Sequence, residues 1–204
     1  MDFTSQPVTR NLRPVGPVGV ILREPFRAET WLRLAYLLLA LPVGLISVPL
    51  ALVGGPAGRI QRGLARRLLG VRVEEPERTG PLAFVHAVVS TPLNFVAAVF
   101  SGFFLFAVAI NVGYPLRPEN DTSDSWGGPT MAGAWAVHAA GGVLFLLVAP
   151  WVMKGFAVLQ TRLVRGFLGA DRTGFLRTTR LPLTVAAVCG LLAVLLALPM
   201  IHQA

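Results

Sequence analysis

Three polar side chains set four residues apart, His86, Ser90 and Asn94, stand inside a long uncharged stretch of this chain. An imidazole, a hydroxyl and a carboxamide at i, i+4 and i+8 share one face of a helix. In a bundle, such groups hydrogen-bond across to neighbouring helices. The spacing therefore predicts a stripe that fastens its helix to another rather than a ligand site, with Pro92 expected to disturb the geometry. The local run HAVVSTPL has a superficial likeness to a phosphoacceptor box, but no acid follows His86 and the flanks are strongly apolar. His86 and His138 are the pair that could ligate a haem from two helices. Their expected places at opposite faces of the membrane argue against it.

Other chemistry has even less to work with. The chain holds no His-Glu-x-x-His, Cys-x-x-Cys or carboxylate cluster for zinc, no phosphate loop and no Gly-x-Ser-x-Gly elbow. The run RPENDTSDSWGGPT gathers Glu119, Asp121 and Asp124 beside Trp126, and could hold a cation or a cationic peptide loosely. Its Gly127, Gly128 and Pro129 mark a flexible turn, so a solvated connector is the expected reading. We therefore expect no catalytic, cofactor-binding or metal-ligating residues, no cofactor and no enzymatic activity.

The elements that must position the polar stripe follow from composition. Of 204 residues, 54% are hydrophobic and 14% charged, against about 25% charged in an ordinary soluble domain. This excludes a disordered protein, a disulfide scaffold and a typical cytosolic enzyme. Cys189 is the single cysteine, so no intrachain disulfide can form. The net charge of +8 would suggest nucleic acid in a soluble domain. Here the bases sit between apolar runs, which points to lipid and to no nucleic acid. Residues 1–30 hold Pro7, Pro14, Pro17 and Pro25 and no early apolar core, so no signal peptide is expected.

Four charge-free windows set the spans: 25 residues between Arg33 and Arg59, 38 between Arg78 and Arg117, 29 between Asp124 and Lys154, and 24 after Arg180. A spanning helix needs about 20 apolar residues. In lipid the backbone must satisfy itself, so the windows should be helical. The expected fold is all-α: a polytopic membrane bundle with about four embedded, Pro-broken segments and amphipathic juxtamembrane helices. The second window is expected to split at Pro92, into an interfacial helix over 81–91 and a crossing over 93–114. Pro42, with Pro49 one to two turns later, is expected to break the first window in the same way, which leaves half-helices or a re-entrant hairpin open there.

Arginine placement orients this arrangement by the positive-inside rule. The basic loops 56–80 and 154–180 are expected on the cytoplasmic side of the cell membrane, and loop 115–130 outside. The last helix, 181–202, then exits outward. Arg10, Arg13, Arg23 and Arg27 favour a cytoplasmic N-terminal segment, 1–30, which would make 31–55 re-entrant; one full pass would place that segment outside.

An internal repeat runs through the membrane domain, 31–180. The first copy, 31–71, carries YLLLALPVGL and RGLARRLLGV; the second, 81–170, carries HAVVSTPLNF and TRLVRGFLGA. Pro42 pairs with Pro92, and Arg66, Leu69 and Gly70 pair with Arg165, Leu168 and Gly169. Each ending reads as an amphipathic helix at the inner surface, with Ile60, Leu64, Leu68 and Val71 on one apolar face and Phe156, Leu159, Leu163 and Phe167 on the other. The alternative is that both are plain juxtamembrane ends of longer helices. Gly141 and Gly142 would let another helix approach closely, and leave a homodimer open.

The run EPFRAETWLRLAYLLLALPVGL, the ARRLLG ending, the second Pro-broken helix and the LVRGFLG ending together resemble the sensor domain of actinobacterial membrane proteins, over roughly residues 24–170. The resemblance implies a multi-pass helical input module of a two-component system, often beside a transporter, with no ligand fixed by the pattern. Two features depart from it: the first copy is short, and an apolar helix, 181–204, stands where a kinase would continue. No phosphoacceptor or ATP-binding domain is expected, so the signal would pass to a histidine kinase or an ABC-type transporter in trans. The expected function is a non-catalytic membrane sensor or regulatory module. A transporter subunit with a site between repeats is the alternative; a lipid-acting enzyme would lack its acids and bases.

Overall fold

Leu, Ala, Val and Phe fill the long uncharged stretches, and among the described residues each of these stretches is mostly helix. The computed structural model describes residues 16–76, 80–117, 121–170 and 174–201, and among them there is no strand. The helices are α1 (Pro17–Arg23), α2 (Ala28–Leu52), α3 (Ala57–Leu69), α4 (Gly80–Val112), α5 (Met131–Leu168) and α6 (Phe175–Ile201). Three of them, α2, α4 and α5, are long and apolar enough to cross a membrane. At 1.5 Å per residue the 33 residues of α4 and the 38 of α5 reach about 50 and 57 Å, well beyond a hydrocarbon core of about 30 Å. The protein is thus a helical bundle of membrane type.

The proline breaks expected from the sequence do not occur. Pro92 lies inside the unbroken α4, so 81–91 and 93–114 are not separate helices. Pro42 and Pro49 lie inside an unbroken α2, which is neither a pair of half-helices nor a re-entrant hairpin. A proline removes one backbone donor, but packed neighbours and local hydroxyls keep such a helix going. In α4 the Thr91 hydroxyl donates to the Ala87 carbonyl at 2.7 Å, one turn back, beside Val88, the residue whose carbonyl Pro92 leaves without its usual donor. Arginine-rich segments 56–80 and 154–180 are not loops either: α3, the end of α5 and the start of α6 occupy most of them. Arg and Leu are both good helix formers, and nothing in 154–168 stops α5.

Side-chain ladders fix the packing. Phe104 meets Phe145, Phe100 meets Phe156, Asn94 meets Gln160 and His86 meets Phe167, so α4 and α5 run antiparallel along their length. Asn94 reaches Ala40, while Phe104 and Val108 share a groove with Thr30 and Leu34, so α2 also runs antiparallel to α4. Helix α3 folds back against α2, and α6 packs on α4 and α5. Small residues permit the close approaches: a Cβ on Gly142 would meet Val112 at 2.9 Å. The helix that approaches the Gly141–Gly142 pair is therefore the chain's own α4.

Helix α3 is amphipathic as expected, but what it buries against the bundle is a small-residue face rather than the apolar stripe. Its buried residues are Ala57, Gly58, Gln61, Arg62 and Ala65, while Ile60 is exposed. The small-residue face wins because it lets α3 lie close along α2. In the second copy the corresponding residues are the continuous end of α5, with Leu163 and Phe167 buried and Phe156 and Leu159 half-buried.

Candidate functional site

The polar stripe of α4 is real and buried: His86, Ser90 and Asn94 are 3%, 1% and 3% exposed. Because α4 continues through Pro92, the three side chains keep helical register. His86 Nδ1 pairs with Gln61 Oε1 of α3 at 2.7 Å. An amide oxygen only accepts, so His86 Nδ1 carries the proton in that bond. Asn94 donates through Nδ2 to the Ala40 carbonyl of α2 at 3.0 Å, and its Oδ1 accepts from Gln160 Nε2 of α5. Four helices are thus joined by one buried group of amides and an imidazole. Gly44 makes the α2–α4 crossing tight enough, since a Cβ there would lie 2.9 Å from Asn94 Nδ2.

The residues that meet stand at constant offsets in the sequence, the offsets of the expected repeat. Pro42 and Pro92 are 50 residues apart, and so are Tyr36 and His86, Ala40 and Ser90, and Gly44 and Asn94. Arg66 and Arg165 are 99 apart, and so are Gln61 and Gln160. Corresponding positions of the two copies converge on one small cavity, of about 10 Å³, lined by Tyr36, Gly44, Gln61, His86, Ser90, Asn94 and Gln160 among others. That is room for about one water and far below the roughly 300 Å³ at which ordinary ligand sites begin. Gln61 Nε2 and His86 Nε2 are buried without a hydrogen-bond partner among the described residues. Sequence reasoning found the α4 stripe and missed Tyr36, Gln61 and Gln160. The repeat register, carried through to these positions, was the signal that could have found them.

Charged groups tie down the ends. Glu24, 5% exposed, receives Arg33 Nη1 at 3.1 Å, and its carbonyl accepts from Thr30 Oγ1 at 2.8 Å. Arg62, buried in α3, bonds the Glu75 carboxylate and the Leu168 carbonyl at the end of α5.

At the far end of α4, Tyr114 stacks on His138 with ring centroids 4.0 Å apart. His86 instead stands edge-on to Phe167 near the start of α4, so the two histidines lie at opposite ends of the α4–α5 pair. In the connector, Asp121 accepts from the Ser123 amide at 2.9 Å and hydroxyl at 2.7 Å, which holds its carboxyl below the usual range. Asp121 thus closes its own turn. Trp126 is exposed, and Glu119 lies outside the described residues. Thr130 caps α5 by accepting from the Gly133 amide at 3.2 Å. Among the described residues, no three or more His, Cys, Asp or Glu stand close enough together to hold a metal ion.

Comparison with family models, curated proteins and solved structures yields no match to this chain. The reading of its function therefore rests on the site itself.

Proposed function

We propose that the chain is a non-catalytic sensor or regulatory module of the cell membrane that passes a signal to a separate protein. The observation that carries this is the closed polar core between the two copies. Buried polar groups at membrane depth are expensive, and here they are spent on joining four helices. Each carboxamide presents an acceptor on one side and donors on the other. Gln61 and Gln160 each join α4 to a different neighbouring helix, so making or breaking either bond changes how α4 sits against that neighbour, the kind of two-state element that a switch requires. The partner in trans is a histidine kinase or an ABC-type transporter. In this reading the basic segments 56–80 and 154–180 face the cytoplasm and loop 115–130 faces outward; loop 115–130 and the start of α6 sit at opposite ends of the α4–α5 hairpin, in keeping with that orientation.

A transporter subunit is the second reading, favoured by the placement of the polar core between repeats. A cavity of about 10 Å³ weighs against it. Deleting the gene in its host separates the two. A discrete set of transcripts should change, and Asn94→Leu should hold that set in one state whatever the stimulus. Unchanged transcription with lost uptake of a solute would reject the sensor reading in favour of transport.

A further inference from the structure

A second feature lies outside the polar core, where α2, α3 and α5 meet. Arg33 from α2, Arg67 from α3 and Lys154 from α5 line one cleft of about 420 Å³, together with Glu29 and apolar wall residues that include Leu32 and Val158. The volume falls within the roughly 300–1,000 Å³ of small-molecule sites. The charges there are unevenly spent. Arg33 is held by Glu24, and the Glu29 carboxylate is taken by Arg27 at 3.1 and 3.4 Å. Arg67 and Lys154 make no ion pair among the described residues; Lys154 Nζ sits over the Trp151 ring at 5.4 Å. Two cations without an ion-pair partner among the described residues therefore converge from two helices. Around them Leu32, Trp151 and Val158 are exposed, a greasy rim beside two of the helices long enough to span a bilayer.

We infer that this cleft binds the headgroup of an anionic phospholipid, with Arg67 and Lys154 on the phosphate and the acyl chains against Leu32, Trp151 and Val158. A free phosphate would use the two cations but gain nothing from the apolar rim. Basic clefts between membrane helices are suited to such headgroups, and an indole at the rim suits the boundary between headgroup and chain. The site does not depend on which partner the module signals to.

The test uses the full chain in nanodiscs of phosphatidylcholine alone or with phosphatidylglycerol, read by native mass spectrometry after release. Wild-type protein should retain phosphatidylglycerol in preference to phosphatidylcholine. The pair Arg67→Gln with Lys154→Gln should weaken that retention by about tenfold or more, given roughly 1 kcal/mol per base. The pair Arg177→Gln with Arg180→Gln, on α6 and away from the cleft, should leave it within about twofold. Millimolar inorganic phosphate should not displace the lipid. Equal loss in both pairs, equal retention of the two lipids, or displacement by phosphate would overturn the assignment. A photoactivatable phosphatidylglycerol on the unaltered protein gives a reading independent of variant folding. Adducts should concentrate on 29–33, 67–70 and 151–161, and adducts spread over the whole bundle would overturn it equally.

Discussion

Asn94 is the residue on which most of the interior depends, because it donates to α2 and accepts from α5. Replacing Asn94 or Gln160 singly by Leu strands a buried partner, which costs about 1–3 kcal/mol. Replacing both removes the stranded group, so the double variant should lose less than the sum. Unfolding in detergent should give a coupling of about 0.6 kcal/mol or more, the scale of such bonds between membrane helices; strict additivity would show that the two amides do not interact. Gly44 makes a second prediction. Gly44→Ala pushes a methyl toward Asn94 Nδ2, an overpacking that costs about 1–3 kcal/mol. Gly63→Ala, in a helix with nothing within 4 Å of the new methyl, should be neutral or stabilise by up to about 1 kcal/mol. Equal melting shifts for the two would mean that the α2–α4 crossing is looser than described.

Among elements, α3 and α6 each make a particular contact with the rest of the bundle that can be cut. Arg62 pins α3 to the segment after it and to the end of α5. Arg62→Ala should raise hydrogen exchange across 57–69, whereas Arg66→Ala, exposed on the same helix, should leave it unchanged. Gly166 sits against the Thr179 methyl of α6. Gly166→Ala should lower thermal stability by about 1–3 kcal/mol, and adding Thr179→Ser, which removes that methyl and keeps the hydroxyl on Phe175, should restore most of it. Absence of rescue would place the strain elsewhere. Helix α3 also shows why an amphipathic pattern is a poor guide to the buried face here. Ile60, Leu64 and Leu68 form the more apolar stripe, yet Ala57, Gln61 and Ala65 face inward. In lipid an apolar stripe gains little from burial against another helix, so close approach and a hydrogen bond decide.

For the whole molecule, the question is which side of the bilayer each end occupies. With Cys189 replaced, a cysteine at Ser123 should react with an impermeant reagent added to intact cells, and a cysteine at Arg66 only after the cells are opened. The reverse pattern would invert the proposed orientation while leaving the fold untouched. The same labelling at Val53, beyond the end of α2, separates a full pass from a shallow one.

The helical membrane character and the shared face of His86, Ser90 and Asn94 were legible in the sequence, because each is local. Window length set against bilayer thickness makes the spans, and a period of 3.6 residues aligns positions four apart. The duplicated Pro42 and Pro92 also stood in plain view. Continuity through those prolines, the inward turn of Gln61, and the meeting of Gln160 with Asn94 were settled only in three dimensions. Whether a proline breaks a helix depends on what packs around it, and which amide finds which partner depends on how helices far apart in sequence slide past one another. Constant offsets along the chain mark which positions correspond but not that they touch; contact emerges when small residues such as Gly44 and Gly142 let particular helices close together.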